Sequence, residues 1–324
     1  MKRALILSGG GSRGAFQIGV WKYLQKIDWQ PDMICGASIG AINAAAIGSG
    51  LGVDELTRLW TTYNRRRICR LQLLKFLSNA LFRRSFVPLM DTTPMQAMIH
   101  EVIDFKALKK SRCEIIISAV NLATASPEFF NQQEITPDHL LASSAMPLLF
   151  PYHMIDGMPY WDGGIMANIP LMPAFLRNMD EIVVVLLSPV GHAMLPRPER
   201  LEDAGEHLLE QFLAGSYHSA LMAERFFNGK VSHNDLLPPS SYLRKQQLSY
   251  HEKAGQPLHC LQKEEHSNPA FGTKRPRIIT VAPSRMLGIA SLLNFSRKQA
   301  ERLINEGYEN ARCTLKLSKY DYND

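Results

Sequence analysis

A serine between two glycines is the first part of the sequence that could do chemistry. Gly36-Ala37-Ser38-Ile39-Gly40 follows an apolar run and precedes the apolar stretch IGAINAAAIG. A serine in this motif, on a tight turn from a strand into a helix, projects its hydroxyl as a nucleophile. Free N–H groups and the helix dipole favour negative charge developing there. We expect Ser38 to be a nucleophile, with Gly36 and Gly40 leaving room for the turn.

A second glycine cluster, LSGGGSRGAF, follows the first apolar run and allows a different interpretation. Gly9, Gly11 and Gly14 fit G-x-G-x-x-G, and Asp28 and Asp32 lie about 20 residues further on, as in a dinucleotide site. In that site, however, the ribose-binding acid stands at the end of the second strand. Asp32 lies at the start of this strand, and the serine motif occupies its end.

The two loops are better explained as parts of one acyl-transfer site. Parallel strands bring their carboxyl ends to the same edge of a sheet, so Ser38 would face the N–H groups of Gly10 and Gly11, with Gly9 and Gly14 shaping the loop. Such N–H groups form an oxyanion hole. For Arg13 three roles stay open: holding this loop, meeting an anionic substrate group, or lying in solvent.

A serine nucleophile requires a base. Ten histidines are present, but none lies in a context that recommends it, and a histidine-dependent α/β-hydrolase or thioesterase stays as an alternative. The better candidate is Asp162 in YWDGGIMANIP, followed by Gly163 and Gly164. Partial desolvation beside Trp161 would raise the pKa of this carboxyl and make it a better base.

Short β-branched runs alternate with helical stretches in the first half, which predicts parallel strands with helical crossovers. The predicted strands are ALILS, DMIC and residues 114–120, 127–131, 182–188 and 277–282; the predicted helices include residues 14–27, 38–48 and 296–312. Residues 39–48 are apolar nearly all round, which indicates a buried helix. We expect one domain over residues 1–324, with a loop-rich insertion or cap at about 192–276 whose most polar part begins near residue 228.

Composition narrows the class of protein. The chain has 324 residues, 46% of them hydrophobic, and a formal charge of +6, which is too small to indicate nucleic-acid binding. Five dispersed cysteines without a C-x-x-C pair favour a reducing compartment and argue against a cysteine metal site. The N-terminal apolar run is too short for a signal peptide, and none reaches membrane-spanning length. We expect a cytoplasmic protein without metal or cofactor.

One segment suggests peripheral membrane contact. Residues 58–84 hold eight basic residues and no acid, and Leu73, Leu74, Phe76, Leu77 and Leu81 form an apolar face at helical spacing. A basic amphipathic helix of this kind could lie on anionic lipid. The alternative is a helix that packs on its own sheet and leaves its arginines in water.

Four motifs in order, GGGSRG, GASIG, ASSAMPLLFP (142–151) and DGGIMANIP (162–170), resemble the patatin-like phospholipases, particularly the bacterial ones. The C-terminal stretch from RIITVAPSR onward is also similar. The resemblance covers roughly residues 1–190 and 277–312, and the insertion falls outside it.

The resemblance implies a three-layer α/β/α sandwich with a mostly parallel sheet, and a lipid acyl hydrolase with a Ser-Asp dyad and no histidine. Ser38 matches the nucleophile, Asp162 the base, and Gly10, Gly11 and Arg13 the oxyanion loop. Asn168 and Pro170 match positions that shape the aspartate loop. The implied substrate is a phospholipid or another acyl-ester lipid; a non-catalytic lipid-binding protein of the same fold is the competing class.

Overall fold

The computed structural model describes residues 1–82, 88–189, 197–227 and 276–320. Ten strands form within these ranges: β1 (Arg3–Leu7), β2 (Met33–Ala37), β3 (Arg70–Leu71), β4 (Met90–Asp91), β5 (Glu114–Asn121), β6 (Ser126–Asn131), β7 (His153–Ile155), β8 (Met158–Asp162), β9 (Glu181–Val185) and β10 (Arg277–Val281). Eight of them make the main sheet, and β3 and β4 pair separately.

The helices follow the strands along most of the chain. They are α1 (Ala15–Lys26), α2 (Ile39–Gly48), α3 (Val53–Thr62), α4 (Arg65–Ile68), α5 (Leu73–Phe82), α6 (Thr93–Val102), α7 (Phe105–Lys109), α8 (Pro137–Ser143), α9 (Gly164–Ala167), α10 (Met172–Leu176), α11 (Leu201–Phe227) and α12 (Arg297–Tyr320). Short 3-10 helices cover Gly11–Gly14 and Ile289–Leu293. No helix in the described ranges is both long and apolar enough to cross a membrane.

The main sheet runs in the order β10-β9-β1-β2-β5-β8-β7, with β6 on β5. The first five of these strands are parallel, and β6, β7 and β8 pair antiparallel. Alternate residues of the parallel strands enter two separate cores: Leu5 and Ile34 pack with α1 and α2, whereas Ile6 and Cys35 pack with α10 and α11. Both faces are covered by helices, which confirms the predicted three-layer α/β/α sandwich.

Strand β5 is the shared neighbour of β2 and β8. Ala37 at the end of β2 pairs with Ser118, and Asp162 at the end of β8 pairs with Ala119. The β5 residues that pair with β6 include residues that also pair with β2 and residues that also pair with β8. Strand β6 therefore occupies one edge of β5, and both β2 and β8 lie along the other edge. Their ends therefore meet one residue apart on a common strand, and this brings the serine turn to Asp162.

Most predicted elements form within a few residues of their expected bounds, with α12 extending to Tyr320 rather than ending near 312. Helix α2 is buried around most of its circumference, as its composition indicates. In the region predicted to be loop-rich, the described part is largely the 27-residue helix α11. Residues 228–275 lie outside the described ranges, so loop character stays a prediction there.

The basic segment differs from its prediction as a single amphipathic helix. Three of its basic residues, Arg65, Arg66 and Arg67, lie on α4, and the other described ones are spread over α3, β3 and α5. The leucines lie on α5, after β3. Leu73, Leu74 and Leu77 are 47%, 85% and 53% exposed, so these three leucines do not pack on the sheet as the alternative expected. Arg83 and Arg84 lie outside the described residues.

Helices α1 and α12 pack at the close distance that glycine permits. A Cβ on Gly19 would overlap the carbonyl oxygen of Ile304, and a Cβ on Gly307 would overlap that of Phe16. This reciprocal contact fixes α12 against the helix that follows the first glycine loop. The C-terminal helix is thereby part of the core, as its apolar spacing predicts.

We expect Gly19→Ala to destabilise the protein by about 1–3 kcal/mol, because a backbone atom cannot move aside as a side chain can. Urea unfolding measures the loss. Gly215→Ala is the matched control: Gly215 is exposed within α11, and a Cβ added there would have no atom within 4 Å, so alanine should be neutral or stabilise by up to about 1 kcal/mol. Equal effects of the two substitutions would contradict the close packing.

Candidate active site

The turn between β2 and α2 holds Ser38 in a strained backbone conformation. Its φ is 54°, in a region that residues other than glycine rarely adopt. A Cβ on Gly36 would collide with the carbonyl of Gly40, and a Cβ on Gly40 would collide with that of Leu7. The two glycines are therefore required by close contact, and the turn presents Ser38 at the carboxyl edge of the sheet.

Ser38 and Asp162 are in direct contact. The Ser38 hydroxyl donates a hydrogen bond of 2.7 Å to Oδ2 of Asp162, and Oδ1 accepts a bond of 2.7 Å from the Gly164 N–H. Asp162 is only 2% exposed. Burial raises the pKa of Asp162 to about 7, while the hydrogen bonds from Gly164 and Ser38 favour the charged form and limit the rise.

Helix α8 and the residues after it hold both partners through the backbone. The Ser38 N–H donates to Oγ of Ser143 at 3.0 Å, and the Asp162 N–H donates to the carbonyl of Ala145 at 3.0 Å. Ser143 is fully buried. One short segment therefore holds both the turn that carries Ser38 and the strand end that carries Asp162.

The first glycine loop lies beside Ser38. Gly11 has a φ of 57°, and in the described part of the chain no acceptor bonds to the N–H groups of Gly10 or Gly11. The Gly9 N–H, by contrast, bonds to the side-chain and backbone oxygens of Asn168 at 3.0 and 3.2 Å. Gly10 and Gly11 thus retain donors for a bound anion, whereas Gly9 anchors the loop to the aspartate loop.

Arg13 is completely buried, so the alternative of a solvated arginine is wrong. Its guanidinium contacts Oε1 of Glu210 at 2.7 Å and donates to Oγ of Ser291 at 2.7 Å. It also donates to the carbonyls of Leu187 and Gly288 at 3.1 and 3.0 Å. These contacts favour a role in holding the glycine loop, because every guanidinium nitrogen already has a protein partner.

Helix α11 contacts two loops of the site. Besides Glu210, it supplies the carbonyl of Leu213 to Nδ2 of Asn168 at 2.6 Å and the hydroxyl of Ser216 to the Ile169 N–H at 3.0 Å. One helix thus contacts both the first glycine loop and the aspartate loop. The part of the predicted insertion that the structure describes is a support for the site.

Two of the described histidines have polar partners other than Ser38. His139 Nδ1 lies 2.8 Å from the hydroxyl of Thr136, and His153 Nε2 lies 2.8 Å from Oδ1 of Asp138. His192, His233, His251, His259 and His266 lie outside the described residues. Among the residues that the structure describes, no three acidic, histidine or cysteine side chains cluster in a way that could hold a metal ion.

A family model described as patatin-like phospholipase matches residues 5–175, which is more than half of the chain and includes every residue of the Ser38–Asp162 arrangement. The chain belongs to the patatin-like phospholipase family. The fold and the positions of the four sequence motifs agree with this assignment. The resemblance inferred from the motifs is confirmed.

Relatives of this patatin-like chain include two bacterial proteins named cGAMP-activated phospholipase. The Vibrio cholerae protein is 30% identical over 200 residues, which cover 52% of this chain and 55% of the relative. The Escherichia coli protein is 31% identical over 196 residues, covering 52% and 53%. The chain therefore spans about half the length of the curated relatives it matches.

Among solved structures, VipD from Legionella pneumophila is similar over 97% of this chain and 66% of its own. Its identity is 15% and its TM-score is 0.48, so the likeness is too distant to bear on function.

Sequence reasoning missed two supporting residues of this site. Ser143 lies in the ASSAMP motif, but a serine there gives no sign of which N–H it will accept from. Glu210 carries no local signal at all, because its partner Arg13 is 197 positions away.

We expect Asp162→Asn to raise stability at pH 8 by on the order of 3 kcal/mol, because the buried carboxylate is charged there and the amide is not. The folded-state pKa, about 7, lies above the ordinary value of 3.8, so the carboxyl's stabilising contribution is present below pH 3.8 and is lost as pH rises through 7. The difference in melting temperature between variant and native protein should therefore shrink on acidification to pH 5. A difference that is constant from pH 5 to 8 would contradict the raised pKa.

Proposed function

We propose that this chain is a serine lipid acyl hydrolase of the phospholipase A or lysophospholipase type. The observation that carries the proposal is the 2.7 Å hydrogen bond from the Ser38 hydroxyl to a buried carboxylate with a pKa near neutrality. A general base works best when its pKa lies near the working pH. Membership of a phospholipase family supports a lipid ester as the substrate.

In the first half of the reaction, Oγ of Ser38 attacks the ester carbonyl while Asp162 accepts the hydroxyl proton. The oxygen of the tetrahedral intermediate takes up negative charge, and the N–H groups of Gly10 and Gly11 stabilise it. Collapse of the intermediate breaks the ester bond. Asp162 returns the proton to the departing alcohol, which leaves an acyl group on Ser38.

In the second half, Asp162 takes a proton from a water molecule that attacks the acyl-serine ester. A second tetrahedral intermediate forms over the same donors and collapses to release the fatty acid. The proton held by Asp162 returns to Oγ of Ser38. The carboxylate acts directly on the serine, so this scheme needs neither a histidine nor a metal ion.

We expect Ser38→Ala to lower hydrolysis of short-chain esters by at least 1,000-fold and to abolish labelling by a fluorophosphonate probe, since the probe bonds to an activated serine. Activity of the native protein should rise as pH increases through about 7, because Asp162 must be ionised to accept the proton. A pH series of kcat/KM on butyryl esters, with Ser38→Ala as the blank, measures both.

Each competing class predicts a different result in that experiment. A non-catalytic lipid-binding protein would show no Ser38 labelling and no turnover. A histidine-dependent thioesterase would lose turnover when one histidine is replaced, while Asp162→Asn would retain much of it. Asp162→Asn with near-native turnover would remove the dyad from the proposal.

We also propose that α4 and α5 place the protein on anionic lipid, at a cytoplasmic membrane surface. Arg65, Arg66 and Arg67 are exposed. The three exposed leucines of α5 come shortly after them, separated only by the two-residue strand β3. Arg67 pairs with Glu101 at 3.2 Å, but both side chains are more than half exposed, so this pair adds little and is easily exchanged for lipid phosphate.

The β3–β4 pair connects this surface to the catalytic side. Leu71 pairs with Met90, whose N–H bonds to the carbonyl of Leu149 at 2.9 Å, next to Leu148, which is 69% exposed. This connection runs from the apolar helix to the segment that follows the Ser143 support. A bilayer on the leucines of α5 would therefore lie near the segment that holds Ser38 and Asp162.

We expect Leu74→Asp to reduce co-sedimentation with phosphatidylglycerol vesicles at least fivefold, because it puts a charge into the apolar contact and repels the anionic surface. The matched control is Leu176→Asp, at an equally apolar and 70% exposed position on α10, which should bind as the native protein does. If the co-sedimented fraction changes neither with the anionic lipid content nor with Leu74→Asp, the membrane proposal is wrong. The hydrolase proposal would be unaffected by that result.

A further inference from the structure

A narrow apolar cavity begins at the residue after the nucleophile. Ile39 lines one end, and the remaining walls come from α2, α3, α4, α6 and Phe295. The space is about 500 Å³ including its open mouth, and the centre of a water molecule can move within only about 60 Å³ of it. The small enclosed volume means that the cavity is narrow, and a narrow bore suits a slender occupant.

The cavity follows one side of α2 away from Ser38. Ile39, Ile42 and Ala46 lie on this wall at helical spacing, so it extends over about 10 Å along the helix. On the opposite wall Met98 and Val102 face it from α6. A chain attached at Ser38 would pass along this wall with its far end between Ala46 and Met98.

The polar groups of the lining are already paired. The Trp60 indole N–H donates to Oδ1 of Asn43 at 3.2 Å, and Nδ2 of Asn43 donates to Oε1 of Gln17 at 2.8 Å and the carbonyl of Gly14 at 3.1 Å. A polar ligand would find few free partners there, whereas a hydrocarbon loses none. The chemistry of the wall therefore selects an aliphatic occupant.

The same side chains connect the cavity to the oxyanion loop. A Cβ on Gly14, the last residue of the loop's 3-10 helix, would lie 3.0 Å from the Trp60 ring. Trp60 in turn stacks on Phe295, with centroids 6.5 Å apart and planes at 17°. An ester carbonyl held at Gly10 and Gly11 would thus lie next to one wall of the cavity.

We propose that this cavity binds the acyl chain of the substrate and sets its preferred length. The proposal rests on the proposed function, since it places the chain that Ser38 would carry. Trp60 forms the wall nearest the oxyanion loop, and Ala46 and Met98 mark the far end. None of these three residues touches the reacting atoms, so they act on specificity.

The experiment measures kcat/KM on butyryl, octanoyl, dodecanoyl and palmitoyl esters. Ala46→Leu fills the far end, so we expect the ratio of kcat/KM on the longest chain that the native protein hydrolyses well to kcat/KM on the butyryl ester to fall at least tenfold. Met98→Ala opens the far end and should shift the optimum to a longer chain. Met95→Ala is the matched control: it is an equally buried methionine one turn earlier on α6, and it does not line the cavity.

The outcomes separate the two proposals. Butyryl hydrolysis that survives Ser38→Ala, or is absent from the native protein, defeats the proposed function. Hydrolysis that depends on Ser38 while Met98→Ala and Met95→Ala give the same chain-length profile overturns the cavity assignment and shows a mere packing void. If Ala46→Leu fails to fold, the chain-length preference can be measured by labelling instead. The ratio of the Ser38 labelling rates with dodecyl and butyl fluorophosphonates is then compared between the native protein and Met98→Ala.

Discussion

The pairing of β2 and β8 along one edge of β5 is the constraint from which the site follows. A parallel strand that ends at Ala37 and an antiparallel strand that ends at Asp162 meet over consecutive residues of β5. Hydrogen bonds of a sheet allow little freedom in this spacing. The distance between hydroxyl and carboxylate is therefore set by backbone register, and the side chains need to adopt only one rotamer each.

A buried ion pair and a buried carboxylate lie near these strands, and they are stabilised differently. Arg13 contacts Glu210 at 2.7 Å and donates further hydrogen bonds, whereas among the described residues the Glu210 carboxylate has this ion contact without a further hydrogen bond. Among the described residues no cation contacts Asp162, and the two hydrogen bonds that this carboxylate accepts do not offset its burial. The protein thus keeps one buried carboxylate without a counter-charge beside Ser38, and a buried ion pair that holds the glycine loop.

The motifs that could be read from the sequence are local ones. Gly36 to Gly40 and the stretch after Asp162 act through contacts among neighbouring residues and their immediate strands, so composition and spacing are enough to find them. Alternation of apolar runs likewise predicts the parallel core. The supports could not be found in this way: Glu210 and Ser143 act through partners 197 and 105 positions away, and nothing local distinguishes them from surface polar residues.

The position of helix α11 also could not be predicted from the sequence. The polar composition of this region predicts a loop-rich cap. The helix instead packs through Tyr217 against the core on the α10 side of the sheet, and its Leu213 carbonyl accepts a hydrogen bond from Asn168. Periodicity within residues 201–227 is compatible with several orientations. Only the position of Arg13 and Asn168 selects one, and that information lies in tertiary structure.

The long sequence separation between Arg13 and Glu210 also determines when the site can exist during synthesis. A ribosome releases the glycine loop and Ser38 early, but the loop's arginine has no counter-charge until more than two hundred residues have emerged, and β1 lacks its neighbour β9 for almost as long. A partly made chain therefore carries Ser38 beside a glycine loop that its arginine does not yet hold in place. The order of the chain itself delays assembly of the site until the fold is nearly complete.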